Sequence, residues 1–360
     1  MLRDAVPLGE IARALVIKLR HHGDVLLAAP VLGVLKAHAP KIEIDALVYD
    51  DTAPMLVGHP ALTGLHLVGR GWRDLPLAAR LVPEWRLFSA LRARRYDLIV
   101  HLSEQPRGAW LARSLGARYC VAPAVPGRGA FWTRSFSHFV PQVGNGRRHR
   151  VESNLDALRR IGIQPSMEER RVRFVPGAQA EARVAALLAG EGLVEGGYVQ
   201  IHPASRWRFK CWPAERNAEL IDRLASRHRV VVTAAPDPEE TDLVEQILST
   251  AKSMPLNLAG KLSIKELGAL AARARLFVGV DSMPMHLAAA MGTPIVALFG
   301  PSGEDEWRPW RVPHRVVTST HACRPCGNDG CGGGKVSECL TTLGVDAVHA
   351  AVQELLAAER

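Results

Sequence analysis

Two signatures that would mark a nucleotide-binding protein outright are missing from this sequence. The Walker A pattern G-x-x-x-x-G-K-[ST] occurs nowhere, and in Gly332-Gly333-Gly334-Lys335 the lysine is followed by Val336. The turn after the first strand candidate lacks G-x-G-x-x-G, which removes the dinucleotide fingerprint. The basic half of the chain shows no helix-turn-helix, zinc-finger or RNP signature, so no nucleic-acid partner is expected. A clean signal peptide is also lacking, because Lys18 and Arg20 interrupt the most apolar early segment. Residues 282–303 carry no formal charge, but Gly292, Pro294 and Pro301 break them as a membrane span. Six unevenly spread cysteines without an export signal fit a reduced, cytoplasmic chain.

What is present is length and an uneven charge. The 360 residues exceed one ordinary core, and two α/β domains are the natural expectation. Residues 1–150 hold 21 Lys+Arg against 11 Asp+Glu, whereas the remainder holds 24 against 25. All the excess positive charge therefore lies in the first half, where its field suits a polyanion or an anionic membrane surface as well as a merely solvated face.

The most informative stretch runs from Leu276 to Gly303. Two short apolar runs, Leu276–Val280 and Ile295–Phe299, flank the small-residue segment Met283–Met291, which reads as strand, helix, strand in a parallel sheet. Asp281 and Ser282 are N-cap types, and Pro284 falls in the first turn, where a missing amide proton costs nothing. Free amides there point beyond the strand's carboxyl end, a favourable place for phosphate, and His286 adds a donor. Taken alone, this is equally a capped helix with a structural histidine.

Along the first half, strands are expected at Ala14–Leu19, Ile42–Tyr49, Leu65–Val68 and Asp97–Leu102. Helices are expected over Val25 to about His38, Thr52–Val57 and Leu75–Arg92. Asp24 follows the first strand, where open α/β sheets place ligands, although an N-cap role would explain it too. Residues 127–150 read as loop plus one strand. There Phe131, Trp132 and Phe136 among Arg128, Arg134, Arg147, Arg148 and Arg150 suggest either a surface for an amphiphile with an anionic head or packed aromatics under solvated arginines.

In the second half, Tyr198–His202 leads into H-P-A-S-R-W-R-F-K-C-W-P and a helix from Ala214. Ser205, Arg206, Arg208 and Lys210 thus crowd a strand-to-helix turn with phosphate-binding donors. After the strand Arg229–Ala234, the acidic run Pro236–Glu240 suits ribose hydroxyls or a helix cap.

Five stretches in order carry a resemblance. They are V-I-K-L-R-H-H-G-D-V-L-L-A-A-P (16–30), S-R-W-R-F-K-C-W-P (205–213), L-A-G-K-L-S-I-K-E-L (258–267), V-G-V-D-S-M-P-M-H (278–286) and W-R-P-W (307–310). Together they resemble the lipopolysaccharide heptosyltransferases of glycosyltransferase family 9, most closely the heptosyltransferase III branch. The resemblance implies the glycosyltransferase B fold, two doubly wound Rossmann-like domains facing across a cleft. The expected division is an acceptor domain over 1–170, a nucleotide-sugar domain over 171–345, and a closing helix over 346–360 that packs back on the first domain. It also implies an inverting, metal-independent enzyme without cofactor, monomeric and peripheral at the cytoplasmic face of the inner membrane. Such an enzyme moves heptose from ADP-heptose to the lipopolysaccharide inner core.

Carried over by position, Asp24 is the implied general base, and Lys210 the catalytic cation. Ser205, Arg206 and Lys210 would hold the diphosphate, Glu239 the ribose, and Leu262 would lie against adenine. Asp281, Ser282, Met283 and His286 would line the phosphates and sugar. Met283 departs from the family, which usually has Gly or Ala there. Arg20, His21, Arg147, Arg148 and Arg150 are the acceptor-side candidates, and the anionic acceptor gives the basic half a partner. The cluster Cys323-x2-Cys326-x4-Cys331-x7-Cys339 has the spacing of a structural zinc knot, which the resemblance does not require. Other readings are a different nucleotide-sugar enzyme of this fold (a hexosyltransferase or an epimerase) and a non-catalytic nucleotide-sugar-binding module.

Overall fold

The computed structural model describes residues 4–141 and 147–358. Its chain divides into two compact units, Met1–Phe174 and Val175–Arg360.

The first unit is built on six parallel strands: β1 Arg13–Ile17, β2 Glu43–Tyr49, β3 Gly64–Val68, β4 Leu98–His101, β5 Tyr119–Pro123 and β6 His138–Val140. Their order is β3-β2-β1-β4-β5-β6. The second unit repeats the design with β7 Tyr198–His202, β8 Arg229–Val232, β9 Leu256–Asn257, β10 Leu276–Val280, β11 Ile295–Leu298 and β12 His314–Val317, in the order β12-β11-β10-β7-β8-β9. Central strands such as β4, β7, β10 and β11 are buried along their whole length. That burial is why they read as continuous apolar runs and not as alternating ones.

Each sheet is therefore a doubly wound, Rossmann-like array whose strand order reverses once, between β1 and β4 in the first unit and between β7 and β10 in the second. At such a reversal the connections leave in opposite directions, opening a crevice beyond the strand carboxyl ends. Gly279 belongs to the second reversal. A Cβ there would stand 2.9 Å from the His202 carbonyl oxygen, so only glycine lets β10 lie this close to the end of β7.

Several expectations are corrected. The helix foreseen from Val25 to His38 is two helices, His22–Leu26 and Ala29–His38. Strands β5, β6, β9 and β12 complete the sheets; of these, only β6 answers to the strand foreseen within residues 127–150. Trp132 and Phe136 of that segment are buried and pack around the ring of His101, so they belong to the core; only Phe131 is exposed. Residues 142–146 of it lie outside the described residues.

The closing helix runs over Val345–Ala358. Its apolar face (Val345, Val348, Val352, Leu355 and Leu356) is used within the second unit's own core, beside β10, β11 and β12. A side-chain pair, Arg315 with Glu354, ties it to β12. No helix among the described residues is long and apolar enough to cross a membrane.

Candidate functional site

The second unit gathers its candidate residues at the β7/β10 reversal. The turn after β7 is fixed from below by two buried aromatics. The Phe209 carbonyl accepts a hydrogen bond from Ser337 at 2.6 Å, and the Trp212 indole donates to the Leu343 carbonyl at 3.0 Å. In this turn Arg206, Trp207 and Arg208 are exposed, whereas Ser205 is buried. Ser205 accepts the Trp207 amide at 3.3 Å, and the exposed Arg206 guanidinium lies 5.5 Å over the Trp207 ring. Lys210 closes the turn by donating to Asp281 Oδ2 at 2.7 Å. Lys210 comes from the segment after β7 and Asp281 from the end of β10, so this ion pair spans the reversal itself.

Asp281 is thereby committed to Lys210, and helix capping falls to Ser282 by position. Yet the Ser282 hydroxyl does not cap. It donates to the Val280 carbonyl at 3.4 Å, so the helix Met283–Ala290 begins without a side-chain cap from Ser282. His286 is buried one turn in, with the Trp307 ring of W-R-P-W 6.1 Å away. Met283 is half-buried at the first helical position.

The acidic run after β8 sorts itself by role. Asp237 caps the helix Pro238–Thr250 by accepting the Glu239 amide at 3.0 Å. Glu240 is buried, accepts the Ala235 amide at 3.0 Å and lies 3.8 Å from His202. Burial raises the Glu240 carboxyl, but the neighbouring His202 ring and the Ala235 amide outweigh it, so the group stays below its ordinary range. Glu239 is exposed, and among the described residues its carboxylate has no hydrogen bond or ion pair. Of the three acids, only Glu239 has its carboxylate uncommitted. Leu262 is half-buried against a core cluster, just ahead of the Ser263–Glu266 capping box that starts the helix Ile264–Arg273.

The first unit has its own cluster at the β1/β4 reversal. Asp24 is buried in the helix His22–Leu26, where it is not the cap; His21 holds that position. Asp24 Oδ1 stands 4.0 Å from Lys18 Nζ and 3.9 Å from Arg20 Nε, close enough for charge attraction but too far for a hydrogen bond. Lys18, on the sequence side of the same turn, is the residue that sequence reasoning missed. It is buried, and it donates to the Leu102 carbonyl at 2.9 Å and to Asn154 at 3.1 Å, so it ties β1 to the end of β4. Burial pushes its ammonium down to about 8; Asp24 opposes this, Arg150 and Arg20 push it further down, and Glu104 opposes. Its signal lay in the quoted motif: a charged residue inside an apolar strand run is rarely left buried without partners.

The acceptor-side arginines do not act as one group. Arg20 and Arg150 reach the Lys18 cluster, and Arg147 is exposed. Arg148 is instead held by Asp156 through two hydrogen bonds of 2.5 and 2.6 Å, a carboxylate that it shares with Arg159. His21 is exposed at the helix start. All six cysteines are free thiols, with Cys323, Cys326 and Cys331 exposed and Cys339 buried. Among the described residues no group of three or more His, Cys, Asp or Glu is arranged to hold a metal ion.

Comparisons with known proteins fit this architecture. Lipopolysaccharide heptosyltransferase 3 of Escherichia coli is 38% identical over 295 residues, 81% of this chain and 84% of that protein. A glycosyltransferase family 9 protein from Veillonella parvula superposes with a TM-score of 0.83 at 21% identity, covering 99% of both chains. An E. coli heptosyltransferase solved with ADP-2-deoxy-2-fluoro heptose superposes with a TM-score of 0.70 at 22% identity, covering 95% of this chain and 99% of that one. At such identities these two structures speak for the fold, the glycosyltransferase B type. The profile of glycosyltransferase family 9 (heptosyltransferase) matches residues 84–336, well over half the sequence, and this chain belongs to that family.

Proposed function

We propose that the protein is an inverting transferase that moves heptose from ADP-heptose to an inner-core sugar of lipopolysaccharide. In this reading it works as a monomer at the cytoplasmic face of the inner membrane. The observation that carries the reading is the Lys210–Asp281 pair across the β7/β10 reversal, set beside uncapped helix amides and Ser205. These are groups suited to a diphosphate. Lys210 and Arg206 would meet the negative charge that grows on the departing ADP as the bond between the anomeric carbon and phosphate oxygen breaks. Glu239 would take the ribose hydroxyls, and Leu262 would lie against adenine.

On the other substrate, the acceptor hydroxyl oxygen attacks the anomeric carbon and loses its proton to Asp24. The geometry around Asp24 supports that role. Two cations stand about 4 Å from its carboxylate, and among the described residues it accepts no hydrogen bond, so its lone pairs face an incoming proton without a competing donor. The test is transfer by the purified chain from ADP-heptose to core oligosaccharide, read by mass spectrometry as one added heptose with one ADP released. ADP-heptose left intact, or a hexose moved in its place, would contradict the reading.

A further inference from the structure

The helix Leu77–Arg94 carries an apolar stripe that the fold does not use. Leu77, Leu81 and Trp85, spaced four residues apart and so on one face, are 75%, 60% and 68% exposed. Only Leu91 of this helix is fully buried. The stripe continues sideways through aromatic contacts, Trp85 to Phe88 at 6.0 Å and Phe88 to Trp110 at 5.3 Å. Trp110, on the neighbouring helix Pro106–Leu115, is half exposed, and so is Phe131 on the helix Ala130–Thr133. Water-facing tryptophans in one continuous patch are uncommon on a free surface and mark a site of contact.

The charge around the patch selects its partner. Residues 75–140 contain ten arginines and only three carboxylates. Glu84 is already engaged by Arg80 and Arg107, and Asp97 accepts two backbone amides. Arg86, Arg92 and Arg134 are exposed and form no ion pair among the described residues. Arg113 lies over the Phe131 ring. A second copy of the chain would set this arginine rim against itself, which costs electrostatic energy. An anionic bilayer satisfies both features, since indole rings settle at the headgroup level and arginines reach the phosphates.

We infer that the face formed by Leu77–Arg94, Trp110 and Phe131 is the membrane-docking surface of the first unit, its ligand an anionic phospholipid headgroup layer. The inference rests on the proposed reading only in that a lipid-borne acceptor gives docking a purpose. The contact itself needs no acceptor.

The experiment is flotation of the full chain with vesicles of phosphatidylcholine, with and without phosphatidylglycerol and free of any saccharide. The wild type should float with the anionic vesicles only, and brominated lipid should quench part of its tryptophan emission. Replacing Arg86, Arg92 and Arg134 by Gln should weaken binding about a hundredfold. Leu81→Ser with Trp85→Ser should abolish flotation and the quenching while leaving the melting curve and turnover on a water-soluble acceptor unchanged. The arginine set leaves the apolar stripe untouched, so it remains decisive if the serine variant misfolds. Flotation with neither vesicle, equal flotation of the variants, or a solution dimer that the serine variant splits would each overturn the inference. Because the vesicles hold no acceptor, failed heptose transfer would count against the proposed function and leave this result standing.

Discussion

The two sheets have the same strand order, and each places a lysine and an aspartate at its reversal, yet the pairs are built in opposite ways. At β7/β10 the lysine and aspartate touch at 2.7 Å, and the lysine remains partly open to solvent. At β1/β4 the aspartate stands 4.0 Å off, and the lysine is buried with two of its three protons spent on Leu102 and Asn154. The first arrangement presents a cation whose geometry is already set, which suits binding an anion. The second presents a carboxylate whose oxygens, among the described residues, accept no hydrogen bond, which suits accepting a proton. Bulk charge divides in the same way, with the excess of arginine confined to the first half. In the proposed function one topology thus serves two chemistries, chosen by which member of the pair is left available.

The largest effect that would break this contrast concerns Asp24. Asp24→Asn keeps shape and polarity but cannot take the proton, so turnover should fall by about two to four orders of magnitude with an unchanged melting curve. Near-normal turnover in that variant would remove the base from the first unit.

Next comes Lys18. Its folded pKa, lowered to about 8, lies below that of an unfolded lysine. Between those values the unfolded chain binds the extra proton, so stability from this group rises with pH over that window. Measured against Lys18→Met, wild-type stability should grow by up to roughly 3 kcal/mol from pH 8 to 10.5. A constant difference between the two proteins across that range would mean that Lys18 is not the buried cation described here.

The smallest effect is ionic. Exposed charges are screened beyond about 8 Å at physiological salt. The KM for the lipid acceptor should therefore rise several-fold with salt before that for ADP-heptose moves. Arg20→Gln with Arg147→Gln should mimic the change. Arg148→Gln should have a smaller effect, because two hydrogen bonds to Asp156 hold that guanidinium in place. Parallel curves for the two substrates would reduce the basic half to a solvated face.

Much of this contrast was legible in the sequence, and the reason is local. Buried parallel strands are short apolar runs, and the residues that matter sit just past their ends. Asp24, Ser205, Lys210 and Asp281 could thus be placed at strand ends without coordinates. The edge strands escaped because they carry little of that signal: β9 has two residues, and β12 opens with His314 and Arg315. Side-chain partnership was not legible at all. That Arg148 is spent on Asp156, that Asp237 and Glu240 are structural while Glu239 is uncommitted, and that Trp132 is core while Trp85 is surface all depend on tertiary neighbours.

The division of labour between the two reversals is tested most directly by calorimetric titration of ADP into the wild type, Asp24→Asn and Lys210→Ala. Asp24→Asn should bind ADP with wild-type affinity and enthalpy, although its turnover is nearly gone. Lys210→Ala, with one charge-assisted contact removed, should bind about ten- to a hundredfold more weakly. If Asp24→Asn loses ADP affinity as Lys210→Ala does, or if Lys210→Ala loses none, the two pairs do not divide the chemistry in this way.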